Sequence, residues 1–190
     1  TYEPQPMQPE WLERDARLGG MAAQNVERAV IFPAGMALAA AHHRDDTEAL
    51  YANPPSFKPW FDETWGFTYK DRIFTVPVIT LPIVGKAIEE LNWVVERGAR
   101  AILIRPAPVP GFGGTRSFAL PEFDPFWKRV VETGVLVAFH SSDSGYSNYA
   151  NDWEGRRREF LPFKPNAFRQ VNEWRPIEDA VSSLICHGAL

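Results

Sequence analysis

His140 ends an all-apolar run, Val135 to Phe139, and a polar run, Ser141 to Gly145, follows at once. An imidazole at that boundary is a metal ligand or a general acid/base in one reading, because its unperturbed pKa lies near neutrality. In the other it is a loop histidine satisfied by hydrogen bonds. Asp143, three residues on, either orients that imidazole or contacts substrate, or it closes an Asx-turn in a Ser/Gly loop. Arg105 ends a second apolar run, Ala101 to Ile104. Its planar guanidinium suits a bidentate grip on a substrate carboxylate, and a salt bridge at the rim is the competing role.

Other chemistry-bearing residues read differently. Gly111-Phe112-Gly113-Gly114-Thr115-Arg116 superficially resembles a phosphate cradle. It lacks the Lys-Ser/Thr of a P-loop and no helix begins right after it, so a flexible lid is expected. His42 and His43 are adjacent, which sends them to different sides of a helix, away from the i, i+4 chelating geometry; a polar helix surface is expected. His187, after the only cysteine, Cys186, reads as helix-end packing. The basic run Arg156-Arg157-Arg158 reads as a solvated helix face. Trp60, Trp65, Tyr69, Tyr146, Tyr149 and Trp153 read as core or lid packing.

These positions are set by alternating strands and helices. Short apolar runs read as strands at Ala29 to Pro33, Arg72 to Leu81, Ala101 to Ile104 and Val135 to His140. Pro77 inside the second argues for an edge, a bulge or a strand end. Helical spacing occurs over Trp11 to Asn25, Met36 to Ala52, Phe57 to Gly66, Pro121 to Thr133 and Arg175 to Cys186, the last with Ile177, Ala180, Val181 and Leu184 inward. It is clearest over Ile83 to Arg97, where Ala87, Ile88, Leu91, Val94 and Val95 recur and Gly98 caps. Ala107 to Leu120 reads as a long loop, and a polar, aromatic stretch runs from His140 to Trp174. Helix, short turn and apolar strand in succession indicate an α/β chain with a parallel sheet, whose ligands bind at the carboxyl ends of the strands.

With 190 residues, 45% hydrophobic and 23% charged, the chain is of a size and composition for one globular domain. A net charge of −4 gives no electrostatic case for nucleic acid or an anionic membrane. A single cysteine excludes an intrachain disulfide and a cysteine metal cluster, and a reducing cytoplasm is the expected location. No apolar stretch is long enough to span a bilayer. Thr1 at one end and the apolar segment up to Leu190 at the other suggest a part of a longer protein.

Several segments together resemble the amidohydrolase family 2 pattern. They are Arg72 to Leu81, Glu96 to Ala101, Ile104-Arg105-Pro106-Ala107-Pro108-Val109-Pro110-Gly111, Asp124-Pro125-Phe126-Trp127 and Val137-Ala138-Phe139-His140. The resemblance runs from about Ala16 to the end and is similar to aminocarboxymuconate-semialdehyde decarboxylase-like metal-dependent hydrolases. It implies a (β/α)8 TIM barrel present in part, about strands two to five, over residues 1–190 as one incomplete domain. It also implies a divalent metal, zinc first and manganese second, with His140 as a ligand at the end of the fifth strand and its companions outside the chain. Arg105 and Asp143 would be the catalytic and substrate-binding residues.

The implied activity is metal-dependent hydrolysis of a small carbonyl or carboxylated substrate through metal-activated water, with a carboxy-lyase of the same family as the alternative. The expected partner is a small molecule, with a homo-oligomer left open. The rival from another class is a non-catalytic α/β domain that binds a partner through Phe57 to Tyr69 and Tyr146 to Trp153. An open part-barrel exposes strand edges and apolar helix faces. The isolated 190-residue chain is therefore expected to aggregate, oligomerise or fold poorly. A sharp, concentration-independent two-state melt of a monomer would contradict that.

Overall fold

A computed structural model describes residues 6–33, 57–111, 113–140, 146–155, 167–172 and 174–189. The expected helix Met36 to Ala52 with His42 and His43, the loop residue Asp143 and the run Arg156 to Arg158 lie outside the described residues.

In chain order the strands are β1 (Ala29–Ile31), β2 (Thr68–Tyr69), β3 (Ile73–Thr75), β4 (Ala101–Ile104), β5 (Val109–Gly111), β6 (Gly114–Arg116) and β7 (Leu136–Phe139). The helices are α1 (Arg14–Ala23), α2 (residues 57–64), α3 (Val84–Glu96), α4 (Asp124–Thr133), α5 (Tyr146–Glu154), α6 (Ala167–Val171) and α7 (Arg175–Cys186). Two 3-10 turns, Pro9–Trp11 and Pro121–Phe123, lead into α1 and α4.

Four strands run parallel. β1 pairs with β3, and β4 with β7. The two pairs meet at one bridge, Val78 to Leu103, where the Leu103 N–H donates to the Pro77 carbonyl (2.8 Å) and the Ile79 N–H to the Leu103 carbonyl (2.9 Å). Upstream the bridge is limited by Pro77, which has no N–H, and by the Phe67 carbonyl, which takes the Thr75 N–H. Alternating backbone groups along this stretch face β1 and β4 in turn, so Pro77 withholds a donor on the β4 side and the ladder begins only at its carbonyl. The expected strand over Arg72 to Leu81 is thus a three-residue strand followed by an isolated bridge. The short β2, unforeseen from the sequence, pairs antiparallel with β3. Among the described residues the strands form an open set and do not close into a barrel.

Strand side chains alternate between two faces. On the convex face Ile73, Ile79, Ile102 and Ile104 pack with Leu91 and Val94 of α3 and Phe126 and Val130 of α4 in one buried cluster. On the concave face Val76, Val78 and Leu103 form a smaller cluster, with Ala101 and Ala138 against it. α3 lies on the convex face because Ala87, Leu91 and Val94 recur at four- and three-residue steps, and all three are fully buried. Gly134, at φ +66°, stops α4 in the left-handed conformation glycine adopts without a Cβ clash, and its N–H donates to the Val130 and Val131 carbonyls.

Three expectations change. Ala107 to Leu120 is not one irregular loop, since β5 and β6 pair antiparallel within it as Val109–Arg116, Pro110–Thr115 and Gly111–Gly114. The stretch up to Trp174 contains α5 and α6. Val181 of α7 faces solvent, whereas Ala180 and Leu184 are buried as expected.

Leu91 joins α3 to the convex core and is fully buried. Leu91→Ala is expected to lower unfolding free energy by about 2–5 kcal/mol in urea titrations. A loss below about 1 kcal/mol would remove α3 from the centre of that core.

Candidate active site

Parallel pairing sets heights as well as neighbours. Ile104 is opposite Phe139, so Arg105 and His140 come next on adjacent strands. Val78 is opposite Leu103, so two residues further on Thr80 stands level with Arg105. Strand spacing of about 4.8 Å brings Thr80, Arg105 and His140 into one row at the carboxyl ends. Two-residue alternation from Val78, Leu103 and Ala138 turns all three toward the concave face.

His140 is exposed, and its ring lies 5.5 Å from that of Phe32, which follows β1. β1 and β7 are the outer members of the four-strand order, so this contact spans the concave face. Arg105 is half-buried and lines a cleft of about 50 Å³ with Val78, Thr80, Pro82, Val109 and Pro110. Thr80 is buried, and its hydroxyl has no hydrogen-bond partner among the described residues.

The segment Gly111 to Arg116, expected as a flexible lid, belongs to the β5–β6 hairpin that walls this cleft. Arg116 pins it. Its guanidinium donates to the Pro110 carbonyl and to the Pro82 carbonyl (3.2 Å) and pairs with Glu122. One side chain thereby ties the hairpin to the turn after the bridge strand.

A second tie comes from outside the sheet. Lys58 of α2 donates to Glu90 Oε2 of α3 at 2.7 Å, and the same oxygen accepts the Thr80 backbone N–H at 3.0 Å. The two side chains are 4% and 12% exposed, so both charges are largely withdrawn from water. Burial pushes the Lys58 ammonium below its ordinary range, with Glu90 opposing. Lys58, Glu90 and Thr80 are not among the site residues expected from the sequence. Only Thr80 left a signal: it is the polar member of the alternating series Val76, Val78, Thr80.

The remaining candidates fall elsewhere. His187 stands at the end of α7, as expected, but it is exposed rather than packed. Trp65 is buried, whereas Trp60 and Trp153 are half or more exposed and so are not core. Among the described residues no three His, Cys, Asp or Glu side chains lie together. A catalytic metal takes about three protein ligands. His140 suits such an ion as one ligand, and the described residues by themselves do not complete a metal site.

An amidohydrolase from Mycobacterium avium subsp. paratuberculosis K-10 superposes with a TM-score of 0.85 and 38% identity, covering 96% of this chain and 45% of that one. The chain belongs to the amidohydrolase family. The 2,6-dihydroxybenzoate decarboxylase from Rhizobium shares the fold at a TM-score of 0.56 and 20% identity, covering 90% of this chain and 51% of its own. A decarboxylase of the same name in complex with 2,6-dihydroxybenzoate matches at 0.55 and 20%. No family model and no curated protein matches the chain. The chain spans about half the length of these solved amidohydrolase-fold relatives, which are TIM-barrel proteins.

The Lys58–Glu90 tie predicts a pH signature. With its folded pKa below the unfolded value of about 10.5, Lys58 binds more proton in the unfolded chain within that window. Its contribution therefore makes stability rise with pH between the lowered value and about 10.5. Lys58→Met is expected to cost about 3–5 kcal/mol by leaving Glu90 unpaired and to remove that rise. Identical alkaline slopes of unfolding free energy in the two proteins would refute it.

Proposed function

We propose that this chain contributes Arg105 and His140 to the active site of a metal-dependent hydrolase of the amidohydrolase superfamily. The observation that carries this is their level placement at the carboxyl ends of adjacent parallel strands, facing one concave side. Ligands of parallel α/β sheets bind at that end. Membership of a family of enzymes supports catalysis over the rival non-catalytic binding domain.

On this reading His140 is one metal ligand, and its companions come from outside the described residues. A divalent metal, zinc or manganese, would supply Lewis acidity and an activated water when bound. Arg105 holds a carboxylate of the small substrate through charge-assisted hydrogen bonds. Asp143, three residues after His140, is assigned to orienting the imidazole or binding substrate. The partner is a small molecule. Cys186 is a free thiol, which suits the cytoplasm we assign. No helix among the described residues is long and apolar enough to cross a membrane. The alternative within the family is a carboxy-lyase.

The test is metal analysis and turnover of the full-length protein against small carboxylated compounds. His140→Ala is expected to lose most of its bound metal and its turnover. Unchanged metal content and turnover would sink the assignment. Arg105→Gln is expected to raise KM about tenfold or more. Release of CO2 as product would replace hydrolysis by decarboxylation.

A further inference from the structure

The polar groups of the row are accounted for unequally. The hydroxyl of Thr80 sits on a residue only 4% exposed, and it has no partner among the described residues. Leaving such a group buried and unsatisfied is unfavourable. Its backbone is nevertheless held firmly, through the N–H that donates to Glu90 Oε2 at 3.0 Å, an oxygen gripped in turn by Lys58. The residue is fixed in place while its hydroxyl is left over.

Thr80 lines, together with Arg105, a cleft of about 50 Å³. A single water occupies roughly 10–15 Å³ of such space, so the cleft takes a group of a few atoms and not a whole substrate. Its other walls are apolar and come from Val78, Pro82, Val109 and Pro110. Arg116 holds two of those walls together through the Pro82 and Pro110 carbonyls. A cationic guanidinium, one hydroxyl donor and dry walls suit a carboxylate: two acceptor oxygens, with little space for a larger anion.

We propose that Thr80 and Arg105 form a two-donor subsite for the carboxylate of the substrate, with the Thr80 hydroxyl donating to one oxygen and the Arg105 guanidinium to the other. This rests on the active-site reading above and adds to it the residue that orients the carboxylate. It gives a reason for the Lys58–Glu90 tie, which fixes the height of Thr80 from the convex side. It also gives a reason for a polar residue in the position that follows Val76 and Val78.

The test is binding of benzoate, with benzamide as the uncharged control, to the full-length protein by calorimetry. Thr80→Val keeps the shape and removes the hydroxyl. It is expected to weaken benzoate about tenfold, to leave benzamide and metal content unchanged, and to melt at the same or a higher temperature. Thr80→Ser is expected to retain benzoate binding, which guards against a folding defect in the valine variant. Equal benzoate affinity in wild type and Thr80→Val would overturn the subsite. So would a clear drop in melting temperature with valine, since it would reveal a structural partner for the hydroxyl. If Arg105→Gln still loses benzoate in the first case, the active-site reading stands and Thr80 alone falls. If the wild type does not bind benzoate, the subsite fails, and metal content in His140→Ala still judges the active-site reading separately.

Discussion

Everything at the candidate site depends on the register between β3, β4 and β7. A parallel ladder fixes which residues stand level, and a slip of one residue would turn every side chain to the opposite face. The pairings Ile104–Phe139 and Val78–Leu103 therefore decide that Arg105, His140 and Thr80 share a height and a direction. Of the two joins, the one at Val78 is the more exposed to slippage, because Pro77 shortens it. Burial offsets this. Val78 and Leu103 are almost wholly enclosed on the concave side, and Ile79 and Ile104 on the convex side. A shifted register would move those apolar side chains out of two cores at once.

Polar ties then hold the ends of these strands from both sides. Lys58 and Glu90 reach Thr80 from the helical layer, and Arg116 spans the turn after β3 and the hairpin β5–β6. A buried ion pair is weak evidence for stability, because desolvation offsets most of the Coulomb attraction. Its effect here is geometric. A carboxylate shared between an ammonium and a backbone N–H has one position in which both bonds are made. The strand end it holds is thereby fixed against the helices, and the wall residues of the cleft inherit that rigidity.

The concave face is covered unevenly. Val30 and Leu136 are more than half exposed there, while Val76 and Leu103 are buried on the same face. The central strands satisfy each other, and the outer strands present apolar side chains with few described neighbours. The chain spans about half the length of the solved structures it matches. The Phe32–His140 contact shows the sheet curling enough to bring its two outer strands into contact near the strand ends.

By itself the sequence determined the elements whose cause is local. Apolar spacing placed α3 and α7 to within a residue and α4 to within three, glycine placed the stop of α4, and continuous apolar runs placed β4 and β7. It also put His140 and Arg105 at strand ends, since the change from apolar to polar is written in neighbouring residues. Asp143, a candidate for its place three residues after His140, lies outside the described residues. The tertiary structure alone decided what depends on distant partners. Thr80 is polar in an apolar strand for no local reason, and its level with Arg105 follows from a bridge between residues 25 apart in sequence. Lys58 and Glu90 look like surface charges until α2 and α3 pack together. The Pro/Gly-rich segment after Arg105 pairs as a hairpin because Arg116 finds carbonyls on another loop. Periodicity records which face a side chain takes, but not which residue of another strand or helix it will meet.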